Sequence, residues 1–315
     1  MRCIICGKET EESKEHIIPE AMGNTKFVTK MVCNVCNNKL GANVDNYLTD
    51  YIIVKMMRKS MEITGKEDKQ VKIFPSYLQG SDGKKYTFEN DTPKLVPIAK
   101  EKDSVLRIEA QSIDEAMNLA RKKLLRNGIT EEKVEQILSE VIKFEGEESN
   151  PPEFCLTADI DKSKYLLSAI KIAYEYGYEE LGEKYYDDKI AIILRNQLYN
   201  AVQSDKKSVS NNIDYEIIRK HAHVMDIITL NMKNIIEPVI HTMKPPARHV
   251  VILSVDMDNK IVCNIILLNS NITTFTVLLS ENARKYNMKD VRMVVVLEDN
   301  TVYKYGKDER VTILK

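Results

Sequence analysis

The 315-residue sequence has no apolar run long enough to cross a bilayer. Stretches such as VVILSV and IVCNIILL are strand-length. It has no basic and apolar leader; it starts MRCIICG, already inside a motif, so a cytoplasmic protein is expected. Bulk charge is missing too. Against 47 Asp and Glu stand 46 Lys and Arg, a net charge of −1 that gives no long-range attraction for a polyanion. Residues 1–60 hold nine Lys and Arg and seven Asp and Glu, so any contact with nucleic acid has to rest on a local patch. No internal repeat at solenoid periods is present. Histidine is scarce, with five in the chain, and there are six cysteines.

What is there is concentrated at the N-terminus. Cys3, Cys6, Cys33 and Cys36 form two Cys-x-x-Cys knuckles, in CIICG and MVCNVCNNKLG. In a reducing compartment such pairs are metal ligands more often than disulfides. Two residues between each pair let both sulfurs converge on one tetrahedral ion, and four soft ligands favour zinc. Four thiolates leave no open coordination position, so this zinc is expected to be structural. Tetrathiolate iron and a dithiol redox centre are the competing readings, and neither needs what lies between the knuckles. Cys155 and Cys263 are isolated and read as core residues.

Between the knuckles lies EHIIP, Glu15 to Pro19, and directly after the last cysteine come Asn37 and Asn38. A carboxylate at Glu15 can bind Mg²⁺. An imidazole at His16 titrates in the range that suits proton abstraction from water. Asn37 adds an uncharged oxygen donor at the head of a helix. Such a set suits a divalent-cation nuclease. A histidine packed under the finger and an asparagine that only caps a helix are the plainer readings of the same residues.

The motifs C-x-x-C-G at Cys3 to Gly7, E-H-I-I-P, and C-x-x-C-N-N-K-x-G at Cys33 to Gly41 resemble, in pattern and order, the HNH endonucleases whose ββα-metal finger is braced by a four-cysteine zinc site. The resemblance covers roughly the first 50 residues; KIAYEYGYEELG also looks like a helix found behind such fingers. It implies His16 as general base, with Glu15 and Asn37 as ligands of a catalytic Mg²⁺ or Mn²⁺ and Asn38 as the fallback. Lys14, Lys30 and Lys39 are the candidate phosphate contacts, with DNA the expected substrate and anti-phage defence or a mobile element the setting such relatives suggest. The middle asparagine of the family pattern falls here at Val28, with Asn24 or Thr29 as substitutes. If that departure matters, the finger is a zinc-dependent nucleic-acid or protein binding module without chemistry.

The remainder reads as an α+β body, with a helical middle and a C-terminal antiparallel sheet. Three segments are expected: the finger over residues 1–60, a small α/β segment over 61–150, and a targeting or regulatory body over 151–315. Helix periodicity runs from about Asn37 through Met56. Short strands fill 71–110, and SIDEAMNLARKKLLRNG opens with a capping box from Ser112 to Glu115. EGEESNPPEF is the linker candidate. Helices follow over 162–202 and 212–243, the latter breaking at Pro238; His221 and His223, two apart on it, point to different faces, so solvated positions rather than a metal site are expected of them. His241 and His249 flank KPPAR in a loop. From HVVILSV onward the period is two, and four strands read as a meander with MDNK as a tight turn. Its edge makes a homo-oligomer or a partner protein conceivable, and no membrane contact is expected.

Overall fold

The structure, a computed structural model, describes residues 1–64, 70–102, 105–140, 152–156, 160–224, 243–288, 290–306 and 311–314. Most of the linker candidate, Pro238 and His241 lie outside the described residues. The chain divides into two units, one of residues 1–71 with 158–315 and the other of residues 72–157. The finger and the C-terminal body, read as separate segments from the sequence, thus share one unit.

The finger consists of β1 (Glu15–His16), β2 (Val28–Thr29) and α1 (Asn34–Leu40). β1 and β2 pair antiparallel, with Glu15 opposite Thr29 and His16 opposite Val28. The long helix expected after Asn37 is present but irregular. A π segment, Gly41–Asp45, separates α1 from α2 (Asn46–Thr49), and Asp50 and Tyr51 break the chain before α3 (Ile52–Ser60).

Residues 72–157 form their own small body. β3 (Leu78–Gln79), β4 (Lys85–Glu89) and β5 (Thr92–Leu95) make one sheet, and β6 (Ile98–Lys102) pairs with β7 (Val105–Glu109). VKIFPS, read as a strand, is not one; pairing begins at Leu78. α4 (Ile113–Arg126) starts at Ser112, whose hydroxyl accepts from the Glu115 amide as the capping box requires. α4 packs on α5 (Glu131–Ser139) through Ala120, Val134 and Leu138. Cys155, expected in a core, is exposed.

The C-terminal part of the first unit carries α6 (Lys162–Leu181), α7 (Lys189–Gln203), α8 (Val209–Asn212) and α9 (Tyr215–His221). Of the helix expected over 212–243, the described part ends at His221 and is followed by an edge strand, β8 (Ala222–Val224), while residues 225–242 lie outside the described residues. His221 is buried against the Ile217 carbonyl, whereas His223 is exposed, so only His223 has the solvated setting expected of both. Next come β9 (Ala247–Val255), β10 (Ile261–Leu267), β11 (Thr274–Ser280), β12 (Arg292–Leu297), β13 (Val302–Tyr305) and β14 (Val311–Leu314). All pairings are antiparallel, in the order β14-β13-β12-β9-β10-β11-β8.

The four-strand meander therefore holds only for β9, β10 and β11. β12 crosses to the free side of β9, which is how the sheet grows at both ends. The MDNK turn is as expected: Asp256 Oδ1 accepts from the amides of Asp258 and Lys260. HVVILSV is nearly continuous in apolar residues because both faces of β9 are covered. Val251 and Leu253 join the main core under α6 and α7, while Val250 and Ile252 join a second cluster on the opposite face. His249, expected in a loop, lies in this strand and is buried.

Candidate active site and metal centre

The first knuckle turns tightly. Gly7 donates its amide to the Cys3 carbonyl at 2.9 Å and has φ +71°, a conformation that favours glycine. A Cβ there would also meet the Tyr186 hydroxyl at 2.8 Å. At the second knuckle Cys33 caps α1, its sulfur accepting from the Cys36 amide, while the Cys33 amide points at Cys3 Sγ at 3.4 Å. The four sulfurs lie within 4.8 Å of one another, and Cys6 and Cys33 are 3.9 Å apart. A tetrahedron with Zn–S bonds of about 2.3 Å has edges of about 3.8 Å, so the residues fit zinc. Among the described residues no other group of three or more His, Cys, Asp or Glu side chains converges this closely. The hydrogen bond from Cys36 lowers the pKa of the Cys3 thiol, while the same contact and burial raise that of Cys36 and burial raises that of Cys6.

Three side chains hold β1 to the rest of the finger. Ser13 donates to the Val32 carbonyl at 2.7 Å, just before the second knuckle. Asn37 donates its amide to the Lys14 carbonyl at 2.8 Å and to Ser13 Oγ at 3.2 Å. Both donors of Asn37 are engaged in this staple, so its carbonyl oxygen is what it has left to offer a cation. Asn24 is fully buried in the loop between the strands. It donates to the carbonyls of Ile18 and Phe27 at 2.7 and 2.9 Å and accepts from the Phe27 amide at 2.8 Å. The loop-tethering work expected near Val28 is thus done four residues earlier. Thr29, the other substitute, instead donates to Glu179 on α6.

His16 lies on β1, half-buried, opposite Val28. Glu15 points the other way, as the period-two pleat demands, and is buried with only 2% of its surface exposed. There it meets Lys171. The Lys171 ammonium is fully buried, ion-paired with Glu15, 3.4 Å from Asp45 Oδ2 and 3.6 Å from Glu175 Oε2. It also donates to the His16 carbonyl at 2.6 Å. Burial works against the lysine charge, but Asp45, Glu15 and Glu175 outweigh it and hold Lys171 above the usual lysine range. The acids feel the reverse. Burial pushes Asp45 up to about 6 and Glu175 well above an ordinary carboxylate, because one ammonium cannot neutralise three neighbours. A divalent cation at Glu15 and Asn37 does not fit this arrangement as it stands, because the Glu15 carboxylate is already given to Lys171.

The three expected phosphate contacts are all exposed. Lys14 is exposed beside the Asn37 staple. Lys30 is exposed and lies 3.4 Å from Glu12. Lys39 lines an open groove of about 490 Å³ with Asn38, Val35, Asp205 and Lys206.

Sequence reasoning missed what ties the finger to the body. One face of α6 does much of it. Ser168 donates to the Val44 carbonyl, Lys171 to that of His16, Tyr174 to that of Ile4, and Glu179 accepts from Thr29. The sheet adds two more contacts. Arg248 Nη1 donates to the Gly23 carbonyl at 2.9 Å. The His249 ring is held neutral: Nε2 donates to the Met22 carbonyl at 2.9 Å and Nδ1 accepts from the Leu268 amide at 3.2 Å. Burial lowers its pKa to about 3. A signal for the α6 contacts existed. A lysine and a glutamate one turn apart inside a helix that is otherwise apolar all round need an internal partner.

No curated protein and no solved structure matches the chain. The N-terminal segment does match: residues 3–52 fit the model of the HNH endonuclease family, and the ββα unit braced by four cysteines is an HNH domain.

Proposed function

We propose that this protein is an HNH endonuclease that hydrolyses phosphodiester bonds, with DNA as substrate and His16 as general base. The observation that carries the reading is the folding of the matched segment itself. The two strands, the buried Asn24 loop and the Asn37 staple leave His16 on a short strand beside the helix that follows the second knuckle.

His16 accepts a proton from water. The hydroxide so formed bonds to phosphorus, the bond from phosphorus to the 3′ oxygen breaks, and that oxygen takes a proton from solvent. The zinc contributes only rigidity, through Cys3, Cys6, Cys33 and Cys36. For the Mg²⁺ or Mn²⁺ that the resemblance implies, the Asn37 oxygen is a suitable donor, while Glu15 is engaged by Lys171. Lys14 and Lys39, both exposed and close in sequence to the Asn37 staple, are the proposed backbone contacts; Lys30 has Glu12 as its neighbour and contributes less.

Cleavage of plasmid DNA with Mg²⁺ or Mn²⁺ tests the proposal. The His16→Ala protein should lose about 10²–10⁴-fold in rate, the usual worth of a general base, while keeping its zinc. A variant that cuts as fast as the parent removes His16 from the mechanism. The Glu15–Lys171 pair favours a second reading, a binding module without chemistry. That reading predicts DNA binding by the parent with no metal-dependent cleavage.

A further inference from the structure

We infer that Lys171 is a positioning residue of this site, a resident cation on α6 that orients the strand carrying Glu15 and His16; this rests on His16 being the base. β1 and β2 each have two residues, too short a ladder to fix a strand by itself. Besides the staples within the finger, Lys171 anchors the strand from the body by donating to the His16 carbonyl at 2.6 Å. That bond fixes the peptide plane from which the imidazole projects. The neighbouring side chain, Glu15, is held by the same ammonium. One nitrogen therefore sets two adjacent residues of the motif from 155 positions away.

Lysine at this place is not explained by stability. Well-packed apolar residues in place of a buried ion cluster are often neutral or stabilising. Apart from Ser168 and Glu175, the residues of α6 within one turn of Lys171 are apolar or aromatic and buried, so a cluster replaced as a whole would find apolar company there. What an apolar residue lacks is donors. An ammonium has three, and here they face the His16 carbonyl and the carboxylates of Glu15 on β1, Asp45 in the π segment and Glu175 on α6. Glu175 is fully buried, and neither of its oxygens has a hydrogen-bond partner; Lys171 at 3.6 Å is its counter-charge. The arrangement commits α6 to the geometry of the catalytic strand.

The test compares kcat and KM for DNA cleavage by the full-length parent and the Lys171→Met protein, with zinc content measured on both. Misorientation of the base predicts a fall of about 100-fold in kcat, with KM within two-fold and one zinc retained. If Lys171→Met does not fold, the Lys171→Met/Glu175→Gln protein, which no longer leaves a bare buried carboxylate at 175, takes its place. A kcat within two-fold of the parent in the folded variant overturns the inference, as does a change confined to KM. A parent that does not cut defeats the nuclease reading instead. The ¹H–¹³C resonance of the His16 ring then decides: displacement by the substitution at 171 sustains the positioning role, and an unchanged resonance ends it.

Discussion

The four thiols and the Lys171 cluster both fix the same ββα unit, but they draw on different parts of the chain. The thiols come from residues 3–36 and converge through two local turns. The other cluster brings together Glu15, Asp45, Lys171 and Glu175, from three separate elements. The first depends on an ion, and its four ligands all come from the finger, with Tyr174 of α6 adding one hydrogen bond to the Ile4 carbonyl inside the first knuckle. The second depends on the body and needs no ion. The comparison teaches that a zinc finger of this kind need not be an independent module. The ligands of its knuckles come from within the finger, while β1 is fastened to a helix far away in sequence. Packing does not follow this division: Ile4, Ile5 and Val32 at the knuckles share one core with Ile17, Ile18 and Phe27 and with Tyr174 and Tyr176 of α6.

Removing zinc should have the largest effect on this pair of regions. Structural zinc is typically worth about 10 kcal/mol or more in binding free energy. A strong chelator should free four thiols for titration and raise amide exchange across residues 3–8 and 32–36. If exchange at Ile17 and Ile18 rises equally, the two regions open as one unit. If it lags, the body holds β1 after the knuckles have opened.

Lys171→Met attacks the other region. Breaking a buried ion cluster by removing one partner costs about 3–5 kcal/mol. The urea midpoint should fall accordingly, and the further Glu175→Gln change should restore part of the loss. A midpoint that does not move would show that the ammonium is dispensable for stability.

Asn24→Ala should cost less, about 1–3 kcal/mol, by leaving the Phe27 amide and two carbonyls without their partner. Thermal unfolding measures this, and zinc content should not change.

Acid should have the smallest effect, and its sign can be worked out. His249 is neutral in the fold, with a pKa of about 3 against 6.5 for an ordinary histidine. Between those values the unfolded chain binds the extra proton, so the contribution of His249 is complete above about pH 6.5 and falls as pH drops toward 3. The slope is at most about 1.4 kcal/mol per pH unit. Asp45, raised to about 6, works in the opposite direction: its fold-bound proton stabilises below its ordinary pKa, and that stability is lost as pH rises through about 6. Urea midpoints at pH 7 and 5.5 should therefore show a steeper acid loss in the parent than in a His249→Asn protein, which lacks the histidine titration.

The parts of the site legible in the sequence are those built from short-range spacing. Two-residue gaps between cysteines, the EHIIP insert and the asparagine after Cys36 all concern neighbours that a single turn brings together. The helices at Ile113–Arg126, Lys162–Leu181 and Lys189–Gln203 are legible for the same reason, since periodicity and caps are local. Strand order is not local. Nothing in VRMVVVLE says whether it pairs with β11 or returns to β9, and it returns to β9. The burial of His221 is not legible because the helix ends at that residue, where the chain is captured by the β11 edge. The ion pair of Glu15 is not legible because its partner, Lys171, lies 156 residues away. A carboxylate and its counter-ion leave a mark in sequence only when both lie on one element, as Lys171 and Glu175 do.

The π segment at Gly41–Asp45 has a consequence for how this finger can vary. An α-helix advances about 100° per residue, and a π turn holds one residue more than an α turn. Because the extra residue is absorbed in that one wide turn, deleting one residue between Cys36 and Asp45 would give a regular helix and keep Asp45 on the face that meets Lys171, whereas a second deletion would swing it about 100° away. The interval from the last thiol to Asp45 thus works as a spacer that can lose one residue but not two.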